Sequence, residues 1–178
     1  MNKIFRLLHI YLFSRFRSAV DIMAECSTPF RVWFTDLDVL RHMNNGIYLS
    51  LQDLARVDYM IRAKAAPRIA EKGWYPVVAA ETIRFRRSLQ LFQKFEIRSR
   101  LISWDDKYIY LEHKFVSRNE LIAVGMIRAR FLKKQGGTVA PVELLSALGL
   151  SLQAPPFPEY LQQWISCEQG HSAALNLQ

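Results

Sequence analysis

Cysteine is scarce. Cys26 and Cys167 are the only two in a chain of 178 residues. They lie far apart, without C-x-x-C spacing or histidine partners, which argues against a disulfide framework or a zinc site and fits a reducing cytoplasm. The four histidines, His9, His42, His113 and His171, are too dispersed to suggest a metal centre, so no metal is expected. No run of like charge is long enough for a disordered nucleic-acid arm, and no recognition motif or basic stripe is present, so nucleic acid is not an expected partner. No apolar run approaches the roughly 20 residues of a membrane-spanning helix. The apolar stretch near the start lacks a convincing small-residue cleavage site, so a signal peptide is not expected. Repeats and low-complexity segments are absent as well.

What is present describes one globular domain. A hydrophobic content of 51% over this length supplies a real core but leaves a second full domain cramped. Lys and Arg outnumber Asp and Glu by 24 to 16, a formal charge of +8 that favours an acidic partner such as an anionic lipid or a phosphate-bearing metabolite. Residues 1–20 carry Lys3, Arg6, Arg15 and Arg17 and no acid, around an apolar run from Leu7 to Phe13. This is a basic amphipathic helix, either lying peripherally on an anionic membrane or packed on its own protein or a second subunit.

The pattern changes at Phe30. Phe30 to Thr35 is aromatic and β-branched and reads as a first strand. Asn44 or Asn45 can cap a helix whose apolar face is Ile47, Leu51, Leu54 and Ile61, with Gln52, Asp53 and Arg56 facing away. Asp58 and Arg62 fall toward the apolar side at a spacing that suits an ion pair. Pro67 is expected to close the helical stretch, and Gly73 to Pro76 to form a turn. Residues 77–86, 95–101, 108–116 and 121–132 then alternate as four strands joined by short turns, read as an antiparallel meander ending at Gly136-Gly137. A short helix over 141–148, a proline-rich crossing and a second short helix through Trp164 complete the chain. The plan is α+β: a curved antiparallel sheet wrapped around one long helix, with short terminal helices. It divides into an amino-terminal segment (1–27), a central domain (28–135) and a carboxy-terminal extension (136–178). The sheet's edges and outer face are candidates for pairing with a second subunit.

The most informative segment is Asp36 to Tyr48, D-L-D-V-L-R-H-M-N-N-G-I-Y. An aspartate can act as nucleophile or base on a polarised carbonyl, and a helix start offers N–H groups to the oxyanion. The competing reading is that Asp36 and Asp38 only shape the loop and the asparagines only cap the helix.

These residues, with Asp53-x-Ala55-Arg56, resemble the hotdog-fold thioesterases of the 4-hydroxybenzoyl-CoA thioesterase type, over about residues 28–166. The resemblance implies hydrolysis of an acyl-CoA or acyl-carrier-protein thioester. Coenzyme A enters only as part of the substrate, with no separate cofactor. It also implies a homodimer or homotetramer with active sites between protomers. The second aspartate of D-x-D, here Asp38, is the implied catalytic carboxylate, and the backbone N–H near Asn45 the implied oxyanion donor. His42 would polarise the thioester oxygen or orient Asp38, or else be a packed loop histidine. Asn44 and Tyr48 are candidates for substrate contact, Tyr48 otherwise a core residue; Arg84, Arg86 and Arg87 are candidates for the nucleotide phosphates, or a solvated strand face. His113 and the four tryptophans are read as structural. Plant acyl-carrier-protein thioesterases place an asparagine where this chain has Leu40, a departure that predicts less polar support for Asp38. The alternative function is an acyl-thioester binding or membrane-peripheral scaffold protein without turnover.

Overall fold

One helical stripe followed by long alternating segments sets up two layers, helix on sheet. The computed structural model describes residues 3–175. In chain order it contains α1 (Lys3–Phe13), β1 (Cys26–Arg31), α2 (Asn45–Arg62), α3 (Ala65–Glu71), β2 (Trp74–Phe85), β3 (Lys94–Trp104), β4 (Ile109–Ser117), β5 (Glu120–Lys133), β6 (Thr138–Val139), α4 (Pro141–Ala147) and α5 (Glu159–Ala174). Short 3-10 turns occupy Ser14–Phe16 and Phe34–Asp36.

The sheet is antiparallel, in the order β1-β3-β4-β5-β2, with β6 pairing β5. Its curl around α2 is the hotdog arrangement. From α2, Tyr48, Leu51, Leu54 and Ala55 meet Phe95 and Ile97 of β3, Phe115 of β4 and Ile122 and Ala123 of β5. Burying a leucine such as Leu51 contributes about 1.5–3 kcal/mol, so this one helix face carries a large share of the stability.

Several expectations need correction. The four strands are not a simple meander: β3, β4 and β5 are consecutive neighbours, but β2 lies beyond β5 at the edge. The linker 86–93 can reach roughly 26 Å when extended. That exceeds the roughly 14 Å across three strand spacings, so its length does not force β2 beside β3. By contrast, β4 and β5 are joined by Arg118 and Asn119, both at positive φ (52° and 62°), the geometry of a two-residue hairpin turn.

The first strand begins and ends earlier than expected, at Cys26 and Arg31. Its ladder with β3 stops at Arg31 opposite Lys94. Trp33 then donates its N–H to the Asp36 carboxylate, and the chain turns toward the motif. Trp33 is left partly exposed rather than packed inside.

Pro67 does not close a helix. Lys64 at φ 58° separates α2 from α3, and Pro67 sits in the first turn of α3, where its missing N–H costs nothing. The Gly73–Pro76 turn is confined to Gly73, because β2 starts at Trp74. The last helix continues to Ala174, well past Trp164.

Gln52 does not face away: it is fully buried over Gly125, where an added Cβ would lie 2.1 Å from the Gln52 Oε1. The curled sheet covers a wider arc of α2 than an apolar stripe would suggest, and the missing side chain at 125 makes the room. Asp58 is also fully buried. Its carboxylate accepts from Ser14 Oγ (2.6 Å), Thr28 Oγ1 (2.6 Å) and Arg17 (2.6 Å), while Arg62 stands 3.6 Å away. The expected Asp58–Arg62 pair exists within a larger network that ties the amino-terminal segment to α2.

Candidate active site

The two aspartates of the motif have separate tasks. Asp36 is buried, accepts from the Trp33 N–H at 2.8 Å and pairs with Arg6 of α1 at 2.5 Å. Its carbonyl receives the Asn44 N–H at 2.8 Å. Asp36 is therefore a structural pin holding both ends of the loop.

Asp38 is only half-buried and stands at the head of a tight turn. Its carbonyl accepts the Arg41 N–H at 3.0 Å, and Arg41 takes a left-handed φ of 63°. That turn brings His42 back onto Asp38. Nδ1 of His42 lies 3.2 Å from one carboxylate oxygen, and the other accepts the Leu40 N–H at 2.9 Å. The Asp38 N–H in turn donates to the His42 carbonyl at 3.0 Å. The side chain of Leu40 is exposed. The polar support expected to be weakened by a leucine at position 40 comes instead from that residue's backbone and from His42.

The loop is fixed from below by the segment after β2. Met43 donates to the Leu89 carbonyl at 2.8 Å, and His42 forms a β-bridge with Gln90. Asn44 then caps α2, its Oδ1 accepting the Gly46 N–H at 2.9 Å. This cap occupies the Asn44 side-chain oxygen. Asn45 is the first residue of the helix, so its N–H has no carbonyl one turn back to bond. A helix start of this kind presents N–H groups that can donate to a negatively charged oxygen.

Next to the loop is a depression of about 180 Å³ lined by His42, Met43, Asn45, Tyr48, Phe85, Arg86, Arg87 and Ser88. It gathers five of the residues singled out by sequence, and Asp38 borders it through His42. Arg84, on β2 before Phe85, is not among its walls. Tyr48 contributes to the floor, but its ring belongs to the core between Phe85 and Phe115, with centroids 5.0 Å away in both cases, and burial raises its phenol pKa. Arg86 carries no ion pair among the described residues, whereas Arg87 pairs with Glu120 at 3.0 Å on the surface. Asp53 and Arg56 form an ion pair on α2, and burial lowers the Arg56 pKa. His113 is a core residue, its Nδ1 2.8 Å from Ser99 Oγ. Among the described residues no group of His, Cys, Asp and Glu is placed to hold a metal ion.

Sequence reasoning missed Arg6 as the partner of Asp36. Thirty residues separate them, and no local pattern links a helical arginine to a distant loop.

Comparison with known proteins places the chain in a family. Protein THEM6 of Xenopus laevis is 34% identical over 184 residues, covering 97% of this chain and 87% of its own length. Protein THEM6 of Danio rerio is 38% identical over 157 residues, covering 87% and 76%. Among solved structures, the YbaW probable thioesterase from Escherichia coli superposes with a TM-score of 0.64 at 25% identity, covering 68% of this chain and 95% of that one. The BH1999 gentisyl-coenzyme A thioesterase gives 0.62 at 20% identity, covering 68% and 99%, a likeness of fold. The sequence model of the thioesterase-like superfamily matches residues 32–165. With that match over three-quarters of its length, and the D-x-D loop closing onto the start of the central helix, the chain belongs to the thioesterase-like superfamily.

Proposed function

We propose that this protein hydrolyses an acyl thioester of coenzyme A or an acyl-carrier protein, releasing a free acid and a thiol, with Asp38 as general base. The observation that carries the reading is the Asp38–His42 pair beside an open helix amino end. Asp38 takes a proton from water, and the resulting hydroxide bonds to the thioester carbon. The carbonyl electrons move to an oxyanion facing the Asn45 N–H, and collapse of that intermediate breaks the carbon–sulfur bond. A thiol with pKa about 8.5 leaves readily as thiolate, so no strong general acid is needed. His42 orients the carboxylate. Arg86, unpaired at the depression, serves the nucleotide phosphates together with Arg87 on the same wall, while Arg84 lies outside the lining.

The reading includes a homodimer. β2 is an edge strand whose Tyr75, Val78 and Phe85 are exposed, and a second copy paired along it would deepen the shallow depression into a cleft.

Thiol release from a panel of aliphatic and aromatic acyl-CoA thioesters tests the proposal. Asp38→Asn should lower kcat by roughly two to four orders of magnitude with the fold intact. Undiminished turnover in that variant would refute the assignment of Asp38. Thioester binding by the wild type with no thiol released would mean a binding protein instead.

A further inference from the structure

Lined by none of the residues of the active-site depression, a groove of about 420 Å³ lies between α1 and the end of β1. Its walls include Arg6, His9, Phe30, Arg31, Trp33 and Lys94. Arg31 and Lys94 are directly opposite each other in the β1–β3 ladder. Directly opposed side chains have Cβ atoms about 4.5–5.5 Å apart, and like charges there repel. Neither side chain has an ion pair or hydrogen bond among the described residues. The acid diagonal to Arg31, Glu96, is taken up by Ser27 (2.6 Å) and by Arg98. Asp36 is closed off by Arg6 and the Trp33 N–H. Two cations are thus set against each other in a groove with no carboxylate free to neutralise them, an arrangement an incoming anion would relieve.

The helix forming the other wall is oddly dressed. Among the described side chains of α1, Arg6 and Ile10 are the buried ones, a stripe that Ser14 in the following turn continues at i, i+4, i+8, while Phe5 (63% exposed), Leu8 (53%) and Leu12 (50%) project from the far face. His9, on the groove wall, adjoins that apolar face. No helix of the described residues is long and apolar enough to cross a membrane. An apolar helix face beside an anion-seeking groove, with a tryptophan at the rim, matches the layered chemistry of a bilayer surface: acyl chains, then headgroup phosphates. A soluble phosphate compound would leave the apolar face uncovered.

We propose that the groove between α1 and β1 receives the phosphate of an anionic phospholipid, between Arg31 and Lys94, while Phe5, Leu8 and Leu12 enter the acyl boundary and hold the protein on the membrane surface. This is separate from the thioester site and does not depend on it.

The test is co-flotation of the full chain with vesicles of phosphatidylcholine alone and with phosphatidic acid added. Wild type should bind the anionic vesicles selectively. Arg31→Gln/Lys94→Gln should weaken that binding about 30-fold, and Leu8→Ser/Leu12→Ser should abolish it. Arg68→Gln/Lys72→Gln, an equal loss of charge from an exposed site on and just after α3, should leave it unchanged. Thermal melts without lipid check folding, and the groove variant should be at least as stable as wild type because a repulsion is removed. Equal weakening by both charge pairs would reduce the groove to diffuse electrostatics and overturn the proposal. So would equal binding to neutral and anionic vesicles, or saturation by inorganic phosphate with no vesicle binding.

Discussion

His113 offers the sharpest quantitative test of the fold. It is fully buried on β4 beneath α2, and burial, aided by the nearby Arg56 charge, lowers its pKa from 6.5 to about 3. The native ring is therefore neutral throughout the mildly acidic range, while the same ring in the unfolded chain takes up a proton below about 6.5. Between those two values the unfolded state binds more protons than the native one. Stability consequently rises with pH across that window, is fully present above 6.5, and is lost as pH falls toward 3. The slope is about 1.4 kcal/mol per pH unit, accumulating to about 4–5 kcal/mol, a large part of the 5–15 kcal/mol of an ordinary domain. Urea unfolding of wild type and His113→Gln from pH 7 down to pH 4.5 measures it. The variant removes the titrating group and keeps an amide to meet Ser99. Whatever the substitution costs at pH 7, wild type should lose stability relative to the variant by about 1.4 kcal/mol per unit as pH falls below about 6.5. Parallel curves, or a native His113 resonance titrating near 6.5, would refute the reasoning.

Three further outcomes are expected. Gly125→Ala should destabilise by about 1–3 kcal/mol through its clash with Gln52, and Gln52→Ala in the same chain should recover most of that loss; additive losses in urea melts would contradict the contact. Arg6→Leu should cost about 3–5 kcal/mol because it strands the buried Asp36 carboxylate, and adding Asp36→Asn should restore part of it; a loss below 1 kcal/mol in the single variant would show that the pin is not a buried ion pair. Arg86→Gln should raise KM for an acyl-CoA roughly five- to tenfold with kcat nearly unchanged; steady-state kinetics on a thioester lacking the nucleotide should show no effect.

The motif was legible because its residues are close in sequence. Asp38, Leu40, Arg41 and His42 make one turn, and Asn44 and Asn45 begin the next helix, so spacing alone suggested a carboxylate near a helix start. The division of labour between the two aspartates was not legible. It depends on Arg6 arriving from α1, and both aspartates look alike in a linear string. The same limit explains Gln52, whose burial depends on a glycine in β5. It also explains β2, whose alternation marks a strand but not its neighbour.

Periodicity and composition by themselves determined that this chain has one long half-buried helix, several alternating strands and a carboxylate-histidine-asparagine loop between them, because these are local consequences of side-chain spacing. Only the tertiary structure decided which aspartate is buried against an arginine and which stays half-open beside His42. It also decided that two cations face each other across β1 and β3. Those outcomes are set by strand order and helix docking, which bring together groups tens of residues apart and leave no trace in any short window of sequence.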